Sequence, residues 1–517
     1  MYDAILISPH YHYDSEGQPL PAQDAAAVQN LSMIIPLGIL HVAQHLQDRG
    51  YRVRVVHLPH TFYALQRLGL AVNQMPNPLE TILSQFPARI CGIQAHFYLY
   101  CGGAVRVAEV YKKLFPDSAV LVGGFMATAC WQDFLTMPGI DGVVLGEGEK
   151  TFERVIEKAT EPGTGFLTTI DGVAARNDQG CGVARPARPD GLLPLEAMPL
   201  IAPKAKPFAD LLWPRRSFIN ISRGLCPEAC TYCVANNRTI NPRRFQFMQI
   251  DRILAQLHLY QDHGIQSVFL GENHFLDTAF MKTLIAAIIG EKLNLSFELE
   301  THPALFDDKD LLPKMVTAGF YRYTMGCESG SDALLKRMGR RSSSRQIMAG
   351  VRRIADAGGL AVTSWICNLP GETEADFAAT TEMLARVVAA GGFIYWIENL
   401  HVLPGSRLFE NPAQWQIDIL LKRLADWIRW AQISKTFVTP GEAAGDPRRY
   451  LTHLNHGTPP RTMIERFYRQ RARARDRVPE MKANLADRAA SLPPELARSE
   501  MQKLDWYAAK GWQLLLF

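Results

Sequence analysis

Short apolar runs alternate with amphipathic helical stretches twice along this chain, and a stretch that does neither separates the two blocks. In the first 155 or so residues, "YDAILIS", "RVRVVHL", "ICGIQAH", "AVLVGG" and "GVVLGEG" read as strands. "LGILHVAQHLQDRG" and "AVRVAEVYKKLF" read as helices between them. That alternation predicts a parallel, doubly wound, Rossmann-like sheet. From Thr164 to Phe208 glycine, proline and small polar residues dominate, which predicts a linker carrying one hairpin. Alternation then resumes with "SFINIS", "SVFLGEN", "SFELETH", "RYTMGCE", "AVTSWIC" and "IYWIENLHV", six strand candidates separated by helical stretches. Six such units predict a partial (β/α)6 barrel of the TIM type rather than the full eightfold closure. Beyond about Phe409 the strand signal stops, and the tail is expected to be helical with breaks at "TPGEAAGDP" and "HGTPP". A chain of 517 residues is too long for one core. The expected division is therefore a first domain over 1–160, a linker over 161–210, a barrel over 211–409 and a helical C-terminal domain over 410–517.

Directly after "SFINIS" comes "SRGLCPEACTYC", in which Cys226, Cys230 and Cys233 stand at C-x3-C-x2-C. Barrel enzymes place their chemistry at this carboxyl end of a strand. The other six of the nine cysteines, Cys91, Cys101, Cys130, Cys181, Cys327 and Cys367, are scattered. A structural zinc usually takes four ligands as two pairs, and no second C-x2-C pair exists. Three thiolates on one loop suit a 4Fe-4S cluster that leaves one iron open for a small ligand. An odd cysteine count, and no leader-like segment before "YDAILIS", make a reducing cytoplasm the expected location. No run of 18 apolar residues is present, so no membrane partner is expected.

The segment "SRGLCPEACTYC" resembles the cluster motif of the radical S-adenosylmethionine (SAM) enzymes, including the aromatic Tyr232 before the last cysteine. "LGEN" at Leu270 to Asn273, "GCESGSD" at Gly326 to Asp332, "NLPGETEADF" at Asn368 to Phe377 and "LPGSRLF" at Leu403 to Phe409 fall in the order the family has them. The resemblance implies a cluster held by Cys226, Cys230 and Cys233 whose open iron is chelated by SAM. It also implies an external electron donor such as flavodoxin or ferredoxin. SAM offers an ammonium, a sulfonium and a ribose diol, so carboxylates at strand ends are suitable acceptors. Glu272, Asn273, Glu300, Glu328 and Ser329, with Tyr232, are the expected SAM contacts, and relatives often carry an aspartate where "LGENHF" stands here.

Upstream, "IIPLGILHVAQHLQDRGYRVRVVHL", "GIQAHFYLY", "VLVGGFMAT" and "VVLGEGEKTFERVIE" resemble, in order, the cobalamin-binding domain that precedes the radical SAM core in one large subfamily. The expected cobalamin contacts are Ile35, Leu37, Gly38, Gln94, Ala95, His96, Gly123, Gly124, Phe125, Gly146, Glu147 and Gly148. Cobalamin domains of the methionine synthase type carry D-x-H-x-x-G in the first loop. Here the glycine would be Gly38, and Ile35 and Met33 stand at the histidine and aspartate positions. No imidazole from that loop is expected under cobalt, and Ile34, Ile35 and Leu37 would give an apolar lower face.

From Gly441 to Phe517, fourteen Lys plus Arg stand against nine Asp plus Glu, and "RTMIERFYRQRARARDR" carries most of the excess. With aromatics there limited to Phe467 and Tyr468, this reads as a solvated helix face, and no nucleic-acid partner is expected. Trp427, Trp430, Trp506, Tyr507 and Trp512 read as helix-packing residues or as the lining of a substrate pocket. The subfamily resemblance implies methylation of an unactivated carbon of a small molecule, through methylcobalamin and a 5'-deoxyadenosyl radical. Other members perform ring closure, ring contraction or oxidation without methyl transfer. A methylthiotransferase resembles the chain only in its core, since Cys91, Cys101 and Cys130 do not follow the motif of its auxiliary cluster.

Overall fold

The computed structural model describes residues 1–10, 35–68, 75, 77–159, 163–209, 211, 213, 215–271, 277–434 and 445–510. Its first sheet runs in the order β2-β1-β3-β4-β5-β6-β7. β1 (Tyr2–Ser8), β2 (Val53–His57), β3 (Ala88–Gln94), β4 (Ala119–Gly123) and β5 (Gly142–Val144) are parallel. These strands are almost continuously apolar because both faces are covered. On one face Leu40, Ala43 and Leu46 of α1 (Leu37–Asp48) pack with Phe152 and Val155 further along the chain. On the other lie Ala104, Val107 and Ala108 of α2 (Tyr98–Leu114). Phe152 and Val155 belong to α3 (Glu149–Lys158). Strand order reverses between β1 and β3, the switch point at which an open sheet parts to admit a ligand.

The stretch read as a linker is partly absorbed into this sheet. β6 (Val173–Arg176) and β7 (Gly182–Arg185) form a hairpin that pairs antiparallel onto β5. A sheet edge is a row of unpaired backbone groups, and the hairpin covers the β5 side of it.

The second sheet runs β15-β14-β13-β12-β11-β8 with every neighbouring pair parallel. Its strands are β8 (Arg216–Asn220), β11 (Ser267–Gly271), β12 (Ser296–Thr301), β13 (Phe320–Glu328), β14 (Leu360–Cys367) and β15 (Phe393–Asn399). β8 and β15 are its edges, so the barrel is open, as the six units predict. A two-stranded ribbon, β9 (Ser222–Arg223) with β10 (Gln246–Phe247), brackets the cysteine loop. α4 (Glu374–Ala389) starts on a reciprocal capping box between Thr373 and Asp376, which is the local reason "GETEAD" turns into a helix.

The C-terminal region is helical apart from one departure from the expected strand-free tail. β16 (Ile417–Ile419) pairs antiparallel with β17 (His453–Asn455). Three-residue strands are too short to leave a period-two pattern. α5 (Leu424–Ser434) docks on α2 of the first domain, α6 (Pro460–Arg475) lies on α4, β14 and β15, and α7 (Pro494–Lys510) buries Leu504 and Tyr507 in the barrel core. The basic stretch of the sequence is α6, and its Arg466 is buried, bonding the Glu374 carboxylate at 2.7 Å and the Glu372 carbonyl at 3.2 Å.

Candidate active site

The cysteine loop leaves β9 through Gly224, at φ +103. A Cβ there would stand 2.3 Å from the Arg244 carbonyl oxygen, so only glycine lets the two backbones pass. Leu225 N–H then bonds the Arg243 carbonyl at 3.0 Å, fixing the residue before Cys226. Further along, Thr231 N–H bonds the Met338 carbonyl at 3.0 Å and Leu408 N–H bonds the Thr231 carbonyl at 3.1 Å. Cys230 is buried, while Cys226 and Cys233 are half-buried. Burial pushes the Cys226 thiol up to about 12 and the Cys233 thiol up to about 11, and it raises Cys230 as well. Their ionisation calls for nearby positive charge, and the Arg340 guanidinium, 3.7 Å from Cys230 Sγ, supplies part of it.

Among the described residues no three His, Cys, Asp or Glu converge closely enough to hold one metal ion. A cubane carries its irons at separate corners and needs no such convergence. Cys327, the next cysteine in the barrel, is fully buried in the apolar core and offers no fourth ligand. Three thiols on one loop beside a half-buried guanidinium fit a 4Fe-4S cluster with an open corner.

Facing the loop, β12 and β13 present Glu300 and Glu328. Glu328 has φ +63, and the register between β13 and β14 slips between Gly326 and Glu328. A non-glycine residue held in the left-handed region is a form of strain that clusters at functional sites. Burial pushes the Glu328 carboxyl up, against the pull of Arg340. Glu300 is open to solvent yet enclosed by protein, because it stands inside the barrel mouth. Burial, with the Glu328 charge second, pushes it up to about 7. The buried Tyr232 hydroxyl lies between Glu328 and Cys230, where it can donate to either. Two carboxyls that share one nearby cation, Arg340, and a buried phenol next to the thiols fit a cationic ligand with its own donors, as SAM is.

Two other expected SAM contacts are placed differently. Ser329 is fully buried, and its hydroxyl is engaged by the Thr380 hydroxyl at 3.0 Å and by Ser331 N–H at 3.1 Å, so its side chain serves the fold rather than the chamber. Glu272 and Asn273 lie outside the described residues. Arg340, which no motif singled out, is the residue that sequence reasoning missed on this side. An arginine in "GRRSSS" carries no spacing signal.

In the first domain the carboxyl ends of β1, β3, β4 and β5 form one rim. Ser8 Oγ and Gln94 Oε1 are buried there without partners. Ala95 is fully buried and its N–H bonds the Gly123 carbonyl at 2.7 Å. Gly124, at φ +116, would put a Cβ 2.7 Å from the His96 Cα, so the β3 and β4 loops lie against each other. The His96 ring opens to the rim, 6.4 Å from the Phe125 ring in edge contact. Leu37 is half-buried beside Gly38, around which a Cβ would find open space. Orphaned polar atoms on a glycine-lined rim fit the amide-bearing edge of a corrin.

Two expectations for this rim need correction. Ile35 is buried in the domain core with Leu6, Leu40 and Phe152, rather than presented as a lower face, and Ile34 lies outside the described residues. The Glu147 carboxylate is not free for a cofactor, because Arg243 holds both its oxygens, at 2.9 and 2.7 Å. Gly146 (φ +73) lies against Pro242 of the barrel, and Gly148 lies against Val42. His41 accepts from Arg223 at its Nδ1, 3.2 Å away, and burial with that positive charge holds its imidazole well below the usual range.

The two rims face each other. Gly146, after β5, meets Thr239 and Pro242 beyond the cysteine loop. Tyr98, after β3, meets the His401 ring at 5.7 Å, beyond β15.

A family model for the radical SAM superfamily matches residues 220–384, and one for the B12 binding domain matches residues 28–156. The chain thus carries a B12-binding domain followed by a radical SAM domain. Its two domains imply a 4Fe-4S cluster with SAM and a cobalamin. The chain is 26% identical over 289 residues to the anaerobic magnesium-protoporphyrin IX monomethyl ester cyclase of Synechocystis sp., covering 54% of this chain and 56% of that one. It is 24% identical over 362 residues to an uncharacterised methyltransferase of Pyrococcus horikoshii, covering 68% and 73%. The alignment with the cyclase thus spans little more than half of that protein's length. The fold matches that of the radical SAM methyltransferase TsrM from Kitasatospora setae, solved with cobalamin and a 4Fe-4S cluster bound. The TM-score is 0.65 at 16% identity, over 81% of each chain.

Proposed function

We propose that this enzyme methylates an unactivated carbon of a small molecule, and the observation that carries the reading is the opposition of the two rims. When bound, cobalamin supplies a methyl donor, and the cluster with SAM supplies a carbon-centred radical able to remove an unactivated hydrogen. Cys226, Cys230 and Cys233 hold the cluster. Glu300, Glu328 and the Tyr232 hydroxyl accept from or donate to SAM. Ser8, Gln94, His96 and the Gly123–Gly124 turn cradle cobalamin. The substrate is assigned to the β14 and β15 side of the lumen, where Ser364, Trp396 and Glu398 are half-open and Arg471 of α6 faces Glu398. An aromatic plane beside a carboxylate suits an apolar or aromatic small molecule carrying a hydrogen-bond donor.

Among the described residues no helix is long and apolar enough to cross a membrane. A cytoplasmic setting with a flavodoxin or ferredoxin as reductant goes with this reading. The kinship to a cyclase supports a second outcome, ring formation or oxidation without methyl transfer. SAM carrying a labelled methyl group separates the two. Methyl transfer puts label in the product and forms S-adenosylhomocysteine and 5'-deoxyadenosine in equal amounts. Deoxyadenosine with an unlabelled product of unchanged carbon count, and no S-adenosylhomocysteine, would establish the second outcome instead.

A further inference from the structure

A charge cluster joins the two rims at the point where the cysteine loop begins. Arg243 donates to both Glu147 oxygens at 2.9 and 2.7 Å and to the Leu193 carbonyl at 2.7 Å. Arg223 donates to Glu149 at 2.9 Å and to His41 Nδ1 at 3.2 Å, and lies 3.5 Å from Glu147. Arg243 and Glu149 are 8% and 3% exposed, so water screens the cluster little. Glu147 belongs to the loop that follows β5 of the cobalamin domain and Glu149 opens α3 directly after it, while both arginines belong to the β9–β10 frame of the cysteine loop. Arg243 is tied to that loop twice more: its carbonyl accepts from Leu225 N–H at 3.0 Å, and Gly224 is closed against Arg243 and Arg244. From the Glu147 carboxylate to the backbone next to Cys226 the path is thus one bidentate ion pair, one side chain and one backbone hydrogen bond.

We propose that Arg223 and Arg243, with Glu147, Glu149 and His41, are positioning residues that set the placement of the cluster loop against the cobalamin loop. The proposal rests on the functional reading above, since the distance between the two cofactors matters only where both act on one substrate. The bidentate fork fixes angle as well as distance, which a lysine could not do. Misplacement by about 1 Å in such an arrangement costs on the order of 10²-fold in rate.

The test compares Glu147→Gln, Arg243→Gln and the exchanged pair Glu147→Arg with Arg243→Glu in the full chain. Circular dichroism and gel filtration confirm that each folds. Hydrogen exchange of the apo-protein reads the contact directly, with faster exchange expected over 142–148 and 222–226 in the single variants. In the loaded protein, electron paramagnetic resonance reads the magnetic coupling between cob(II)alamin and the reduced cluster, expected to weaken or broaden. Deoxyadenosine formation per cluster should persist, while product formed per deoxyadenosine falls at least about tenfold. The exchanged pair should recover part of the coupling. Unchanged exchange with unchanged coupling in both single variants would overturn the proposal. A chain that takes up the cluster but no cobalamin would overturn the functional reading, and the exchange measurement would still decide the contact.

Discussion

Glu300 shows how much one side chain depends on its surroundings. In sequence it is one carboxylate in "FELETH". In the barrel mouth, burial and the neighbouring Glu328 charge push it from its ordinary 4.5 up to about 7. Cationic SAM favours its ionised form, so binding releases a proton wherever Glu300 was protonated. SAM affinity should therefore fall as pH drops below about 7, by about tenfold at pH 6 relative to the fully ionised limit. Glu300→Gln should flatten that slope, measured by equilibrium dialysis across pH 6 to 8. Stability of the apo-protein runs the other way. The folded state holds this proton more tightly than the unfolded chain, so the contribution of Glu300 declines as pH rises from 4.5 to about 7. A SAM affinity of equal slope in the wild type and in Glu300→Gln would remove the residue from the site.

At the scale of elements, the terminal helix α7 acts as a plug. Arg216, Glu298, Arg322 and Tyr395 form one inward layer near the amino ends of β8, β12, β13 and β15, with Glu298 to Arg216 at 2.6 Å and to Arg322 at 3.1 Å. Glu500 of α7 completes it, bonding Arg322 at 3.4 Å, Lys503 at 2.6 Å and the Tyr395 hydroxyl. Despite burial, these partners hold Glu500 down to about 2. Glu500→Ala leaves buried positive charge short of a partner, at a cost of about 3–5 kcal/mol, read as a lowered midpoint in urea. A depressed carboxylate contributes its stability above the ordinary 4.5, and that contribution drains as pH falls from there toward 2. The acid limb of the stability profile should accordingly be shallower in Glu500→Ala. Equal urea midpoints for wild type and variant would mean the plug is held by Leu504 and Tyr507 alone. The strands around this layer were legible in advance, because a short apolar run between helical stretches is written locally. The layer was not, since Arg322 and Glu500 lie 178 positions apart.

Across the whole molecule, the C-terminal region binds the other two domains together. Trp427 of α5 is fully buried within the core of the cobalamin domain, 5.5 Å from the Tyr98 ring and 5.8 Å from Trp430. Trp427→Ala should cost about 3–5 kcal/mol in stability and loosen α5 from α2. Differential scanning calorimetry would show the cobalamin domain melting earlier, with faster loss of bound cobalamin on gel filtration. A variant that melts as the wild type does would mean α5 is not needed to hold the domain. The sequence by itself determined the two βα blocks, the six barrel strands, the cysteine loop and the glycine turns of the rim. Each of these is recorded in neighbouring residues, as a period, a spacing or a backbone that only glycine can follow. Only the tertiary structure decided that the presumed linker hairpin extends the first sheet, that Ile35 and Ser329 serve the cores, and that Glu147 belongs to Arg243. It also decided that Arg340 reaches Cys230 from 110 positions away. Burial and charge pairing act through space, and no local pattern of residue types records which distant partner will neutralise a given charge.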